Sequence, residues 1–437
     1  MYPNLYYFFK DVFGIELEGL KIINSFGFFV ALAFMAAAWA LTSELKRKQK
    51  QGFFTYTEQE IIVGKPASSA ELVIHFFLGF LFGFKIIGGF FMPNAFEDPQ
   101  QYIFSSQGNW LIGIIAGAVF AWLKWSEKNK QKLAAPEKRI LKIFPHDRVG
   151  DMVIYAAVFG FAGAKVFDIL EAPSAFFNMW QAVKEGKQDV GSLLFSGLTF
   201  YGGLIVAGIA IILYAKKHRI AVIHLVDSFA PAMMLAYAVG RIGCQIAGDG
   251  DWGIINSAFI SNEQGQSIVA TAEQYNAAIQ AHSHYIISKF GSLQQIHAAH
   301  FEPILGLPNW MFGYTFPHNV IGDGVALANC TGMYCNYLPL PVFPTPFYEL
   351  ATCLILFFIL WSIRKKINIP GQMMGIYLIF NGTERFFIEK IRVNATYNIF
   401  GLNITQAEII SFILIIAGIV LLTQAKKWFG KQRKYSS

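Results

Sequence analysis

Nine stretches of this chain are apolar for long enough to cross a lipid bilayer, at about 20 residues per crossing. They lie near 22–41, 71–92, 109–126, 150–170, 192–215, 221–247, 347–363, 370–392 and 405–424. The pattern predicts an all-α polytopic membrane protein of about nine transmembrane helices, built as a single integral membrane domain over residues 1–437. The fourth and eighth runs are the least clean, because charged residues interrupt them. The longest polar stretch, 248–345, reads as an outer loop or small domain; it is polar from Ser257 to Gln280 and rich in His, Asn and Pro further on. No internal repeat is visible.

Composition agrees. The 437 residues are 54% hydrophobic and 14% charged, with a mean hydropathy of +0.43, whereas soluble domains carry about 25% charged residues. The net charge of +7 does not indicate nucleic acid, because the basic residues cluster at the ends of apolar runs. The N-terminal stretch Met1 to Lys21 carries Lys10, Asp11, Glu16 and Glu18. It lacks the ordered regions of a signal peptide and reads as retained.

The basic clusters set an expected orientation. Lys46, Arg47, Lys48 and Lys50 follow the first run; Lys128, Lys130, Lys132, Lys138, Arg139 and Lys142 follow the third. Lys216, Lys217 and Arg219 follow the fifth, Arg364, Lys365 and Lys366 the seventh, and Lys426, Lys427, Lys431, Arg433 and Lys434 the ninth. Between 248 and 345 the only Lys or Arg is Lys289. The positive-inside rule then places the N-terminus outside and the C-terminus in the cytoplasm. In the outer loop, Cys330 and Cys335 suggest a local disulfide on an oxidising side. A metal site with His318 is the other reading, but no second pair completes a tetrahedral set. Cys244 and Cys353 lie in apolar runs, as packing residues do.

Three features interrupt the apolar pattern at one expected depth, in the outer half of the membrane. Arg241 lies toward the outer end of the sixth run. A buried arginine costs at least about 3 kcal/mol and needs an anionic partner. It has no carboxylate one turn before it, so its natural counter-charge is a lipid phosphate or Asp249. In the eighth run, Arg385, Glu389 and Arg392 fall at i, i+4 and i+7, on one helical face, with the arginines about 10 Å apart along the axis. They are either a structural ion-pair stitch or a phosphate site that Glu389 orients, since the planar arginine fork binds phosphate oxygens bidentately. In the fifth run, Gly202 and Gly203 let helices approach closely, and Tyr201 is either an interfacial aromatic or a hydroxyl donor.

Several segments, in order, resemble the bacterial prolipoprotein diacylglyceryl transferase family. Phe26-Gly27 resembles its Tyr-Gly, Gly163-Ala164-Lys165 its Gly-Gly/Ala-Arg, and Phe200-Tyr201-Gly202-Gly203-Leu204 its His-Gly-Gly-Leu segment. Asp227 to Pro231 leads into Gly240-Arg241-Ile242-Gly243-Cys244-Gln245-Ile246-Ala247-Gly248-Asp249, which resembles the signature Gly-Arg-x-Gly-Asn-Phe-x-Asn-x-Glu. Pro344-Thr345-Pro346-Phe347-Tyr348-Glu349 resembles Pro-Ser/Thr-Gln-Leu-Tyr-Glu, and Arg385-x3-Glu389-x2-Arg392 keeps the family's terminal spacing. The chain departs from the family at Tyr201 (His), Phe26 (Tyr), Cys244 and Ala247 (Asn) and Asp249 (Glu). Runs two and three, 71–126, look like an extra helix pair beside the usual seven-span form.

The resemblance implies transfer of the diacylglyceryl group of phosphatidylglycerol to the thiol of a lipobox cysteine in a prolipoprotein signal peptide, in a bacterial inner membrane. It implies Arg241, Arg385, Tyr201 and Glu389 as catalytic, and Arg241, Arg385 and Arg392 as phosphate-binding. Gly202, Gly203, Gly240, Gly243, Asp249 and Glu349 would support the site. The nucleophile belongs to the substrate, and the sequence shows no metal cage or nucleotide loop, so no cofactor, metal or nucleic acid is expected. The base stays unassigned, because tyrosine, with a pKa near 10, is a poor base at neutral pH; Asp249 and Glu389 are the other options. The competing class is a secondary transporter for an anionic solute, which also uses intramembrane arginines and glycine-broken helices.

Overall fold

The structure, a computed structural model, describes residues 1–92, 95, 102–103, 105–188, 190–394, 396–399 and 402–430. Lys431, Arg433 and Lys434 of the basic tail lie outside them. All nine apolar runs form helix. After a short helix Leu5–Phe13 come α1 (Ser25–Lys50), strand β1 (Thr57–Val63), α2 (Ser69–Leu81, continued by a π-helical turn Phe82–Ile87), α3 (Trp110–Lys130), strand β2 (Glu137–Ile143) and α4 (Val149–Glu171). Then follow α5 (Phe200–Lys217), α6 (Val222–Ala247), the short helices α7 (Ala272–Ala281) and α8 (Ser283–Phe290), α9 (Thr345–Ile363), α10 (Gln372–Glu389) and α11 (Gln406–Phe429).

Eight of these helices are long and apolar enough to cross a membrane, as a mostly helical polytopic membrane protein has: α1 to α6, α9 and α11. The eighth run, α10, is helical for 18 residues but carries Glu384, Arg385 and Glu389 in its last turns, which keeps it outside that set. Large side chains such as Leu111 (68% exposed) and Phe77 (58%) face outward on α2 and α3. Apolar faces of that extent are at home in lipid rather than water.

The chain divides into two compact units. The first contains 1–8, 24–44 and the described residues from 223 onward; the second contains 9–23 and 45–222. In the second, α4 and α5 pack through glycines: a Cβ on Gly163 would lie 2.6 Å from the Gly202 carbonyl oxygen, and one on Gly202 2.7 Å from that of Gly163. Small residues set such close approach in lipid. The expected start of the fifth run moves from 192 to 200, because a positive φ of 61° at Gly197 breaks the chain there. A further departure is the antiparallel ribbon β1–β2, pairing Thr57 with Ile143 through Val63 with Glu137. It brings together the two ends of the segment that holds α2 and α3.

In the first unit, α10 and α11 pack through Gly375, Gly382 and Gly418: a Cβ on Gly382 would lie 2.7 Å from the Ser411 carbonyl oxygen, and one on Gly418 2.7 Å from that of Gly375. The start of α10 is capped from a different helix. Asp227 of α6 accepts from the Gly371 backbone N–H at 2.8 Å and from that of Met374 at 3.0 Å, so it satisfies N–H groups that a helix start leaves unpaired. This fixes α10 against α6. Residues 248–345 contribute most of a hydrophobic cluster that includes Ile255, Ile286, Phe316 and Leu340. Cys330 and Cys335 are joined as the expected disulfide. They are therefore not metal ligands, and His318 Nδ1 lies 2.7 Å from the Tyr334 carbonyl oxygen.

Candidate functional site

Glu349 is the centre of the site. Pro344 and Pro346 start α9, a position proline favours because the missing N–H is unpaired there anyway. Glu349 follows one turn later and is 0% exposed. Arg241 from α6 meets it with Nε 2.8 Å from Oε2, and Arg385 from α10 with Nη1 3.3 Å from Oε1. Arg392 Nη1 lies 3.8 Å from Oε1, and the Tyr237 hydroxyl donates to the same oxygen at 2.9 Å. One buried carboxylate therefore gathers three guanidinium groups.

Two other carboxylates complete the charge balance. Arg385 Nη2 lies 2.9 Å from Glu389 Oε2, the expected i,i+4 pair, and Asn394 donates to Glu389 Oε1 at 2.6 Å. Asp251 bridges Arg241 Nη1 and Arg392 Nη2, one through each oxygen. Its backbone carbonyl accepts from the Thr345 hydroxyl at 2.8 Å. Burial opposes the charge on Asp251, but the guanidiniums of Arg241 and Arg392 override it and hold its carboxyl down at about 2.

Three expectations change. Arg241 does not await a counter-charge, because Glu349 and Asp251 both pair with it. Asp249 is not the partner: its Oδ1 accepts from the Asp251 backbone N–H at 3.3 Å, and burial pushes its own carboxyl up. The chain doubles back after α6 with positive φ at Gly248 (66°) and Gly250 (96°), and this brings Asp251 beneath the arginines. Arg392 is not on the helical face of Arg385, because α10 ends at Glu389 and Arg392 forms a β-bridge with Gly253. It reaches the cluster through Asp251 instead.

The remaining expected residues sort as follows. Gly243 packs on α1, where a Cβ would lie 3.3 Å from the Phe26 carbonyl oxygen, whereas nothing lies within 4 Å of a Cβ on Gly240. Tyr201, Gly202 and Gly203 belong to the second unit; the two glycines pack on α4. Lys165 of that unit pairs with Asp168 at 3.0 Å and donates to the Ser196 carbonyl at 2.8 Å. The residues that sequence reasoning missed are Asp251, Tyr237 and Glu384. Glu384 is 5% exposed, lies in the field of Arg241, Arg385, Arg392 and Glu349, and has neither carboxylate oxygen hydrogen-bonded within the described residues. Its place beside Arg385 in an apolar run was the available signal.

Known proteins resemble this chain. The chain is similar to a protein of Chlorobaculum tepidum named phosphatidylglycerol–prolipoprotein diacylglyceryl transferase, 29% identical over 241 residues, which cover 54% of this chain and 60% of the relative. Its match thus spans less than two thirds of that relative's length. Proteins of the same name from Staphylococcus haemolyticus and Staphylococcus aureus are each 23% identical over 276 residues, covering 63% of this chain and 72% and 73% of the relatives. Residues 108–424 match the family described as prolipoprotein diacylglyceryl transferase. That match covers more than half of the chain and includes Arg241, Asp251, Glu349, Arg385 and Arg392, so the chain belongs to the prolipoprotein diacylglyceryl transferase family.

Proposed function

We propose that this chain transfers the diacylglyceryl group of phosphatidylglycerol to the thiol of a lipobox cysteine in a prolipoprotein. The sulfur attacks the glyceryl carbon, a carbon–sulfur bond forms, the carbon–oxygen bond to phosphate breaks, and glycerol phosphate leaves. The thiol proton passes to a base. The observation that carries the reading is the set of three arginines held on one buried carboxylate. Negative charge gathers on the phosphate as the bond breaks, and donors fixed in advance stabilise it without reorganising.

The charge balance then dictates how lipid binds. Arg241, Arg385 and Arg392 are matched by Asp251, Glu349 and Glu389, so a phosphate must replace one carboxylate. Glu349 and Glu389 side chains are 0% exposed, whereas that of Asp251 is 35% exposed and on a loop. Phosphate therefore displaces Asp251 and takes its place between Arg241 and Arg392. Glu384 is the carboxylate left over to accept the thiol proton, the role for which Tyr201 is poorly suited. Tyr201 belongs to the second unit, and its part in the reaction is that of a hydroxyl donor only.

The setting follows the basic clusters: nine spans including α10, N-terminus outside, C-terminus cytoplasmic, in a bacterial inner membrane. In this reading α2 and α3 are the extra pair, inserted on the β1–β2 ribbon. The test is to incubate purified protein with phosphatidylglycerol and a lipobox peptide, then weigh the peptide. A gain of one diacylglyceryl group supports the reading. An unmodified peptide, together with anion uptake by reconstituted vesicles, would favour a transporter.

A further inference from the structure

The first unit holds a cavity of about 340 Å³ in the outer domain. Asp251 and Arg392 of the ion cluster line it, together with Tyr285, Lys289, Asp323 and Asn394. Lys289 is the only Lys or Arg in the whole stretch from 248 to 345, and it faces this space. Tyr285 and Lys289 stand one turn apart on α8 and both engage Asp323. The Tyr285 hydroxyl donates to one oxygen at 3.0 Å and Lys289 pairs with the other. Asn319 holds Asp323 in turn: its Oδ1 accepts from the Asp323 N–H at 2.9 Å, and its amide donates to the Asp323 carbonyl at 2.9 Å. Burial, with Asp323 adding to it, pushes the Tyr285 phenol well above the usual range, so it stays a donor.

We propose that this cavity receives the terminal glycerol of the lipid headgroup while the phosphate lies between Arg241 and Arg392. The inference rests on the transfer reading above and adds the part of the headgroup that sets lipid choice. The lining charges cancel in pairs, Lys289 with Asp323 and Arg392 with Asp251. A pocket with no net charge does not draw in a second phosphate or an ammonium headgroup. It does offer fixed donors and acceptors, and each glycerol hydroxyl is at once a donor and an acceptor. The space is ample, since a water takes about 30 Å³ of liquid. When phosphate displaces Asp251, the aspartate's own cavity wall becomes the passage from phosphate to glycerol.

The test compares two short-chain lipids of equal charge, dihexanoyl phosphatidylglycerol and dihexanoyl phosphatidylethanol, which lacks the hydroxyls. Equilibrium binding to the full detergent-solubilised chain is measured for the parent, Lys289→Gln, Tyr285→Phe and the double variant. The parent should prefer phosphatidylglycerol on the order of tenfold, the worth of one to two hydrogen bonds. The double variant should lose that preference, read as the ratio of the two affinities, since the unpaired Asp323 weakens both anionic lipids alike. Equal binding of both lipids by the parent overturns the pocket, as does a preference that survives the double substitution. A variant that keeps lipid preference but binds the lipobox peptide more weakly also overturns it and assigns the cavity to the peptide. Failure of the transfer reading looks different: neither lipid binds, no thioether product forms, and the pocket falls with it.

Discussion

Two regions of this molecule are dense in charge, and they could hardly differ more in what the charge does. On the β1–β2 ribbon, Lys138 and Glu60 lie 2.8 Å apart with side chains 71% and 55% exposed. Around Glu349, three arginines and three carboxylates pair at similar distances, and Glu349 and Glu389 are 0% exposed at the side chain. The chemistry of each pair is the same. In the ribbon, water already solvates both ions, so the pair adds little. At Glu349 and Glu389 the ions have lost nearly all their water, and each depends on its partner. Charge buried at that cost and held by residues from α6, α9, α10 and the 249–253 turn marks the site.

The comparison breaks most sharply at Glu349. Glu349→Gln leaves three buried guanidiniums short of an anion, and breaking such a pair costs about 3–5 kcal/mol. Thermal unfolding in detergent should show a large fall in Tm; a Tm equal to the parent would mean that water reaches the cluster. Arg241→Lys keeps the charge and loses the planar fork. The fold should survive and the transfer rate should fall by about 10²–10³, the worth of one preorganised donor. Full activity in this variant would remove Arg241 from the phosphate site. Arg241→Ala should lower Tm as well, because its partners Glu349 and Asp251 would be left behind.

The proton steps sharpen the comparison at smaller magnitude. Among the described residues Glu384 has no hydrogen bond to lose, so Glu384→Gln should leave Tm near the parent's while lowering transfer by about 10², the low end for a general base. A rate equal to the parent's would make Glu384 a packing residue. Tyr201→Phe should cost ten- to hundredfold in turnover if its hydroxyl meets a charged group, at about 1.5–3 kcal/mol; parental turnover would return Tyr201 to an interfacial role. The smallest effect belongs to the ribbon. Lys138→Gln should shift stability by about 1 kcal/mol or less, and a larger loss would show that the exposed pair matters more than its hydration suggests.

Much of this was legible in the chain. Every apolar run became a helix, the spacing of Arg385 and Glu389 gave their pair, and Cys330 and Cys335, five positions apart, gave the disulfide. What escaped notice lacks periodicity. Asp251 reaches the arginines only because Gly248 and Gly250 turn the chain back with positive φ. Arg392 left the helical face because α10 stops three residues earlier. The β1–β2 strands are rich in charge and pair across a long insert, which no local pattern announces. Asp227 caps a helix that begins at Gln372, far along the chain. Glu384 has no charged residue at i−3 or i−4 on α10, so no helical spacing singles it out beside the Arg385–Glu389 pair.

In the proposed reading, lipid phosphate takes the place of Asp251 between Arg241 and Arg392. The direct measurement is the binding of short-chain phosphatidylglycerol to the purified parent and to Asp251→Asn. Asparagine is nearly the same size, still offers an oxygen to the arginines, and no longer competes as an anion. The account predicts tighter binding in the variant, on the order of tenfold, in line with the worth of a charged hydrogen bond that phosphate no longer has to break. Binding that is weaker than the parent's, in a variant that stays folded, would show that Asp251 builds the phosphate site rather than occupying it, and would contradict the account.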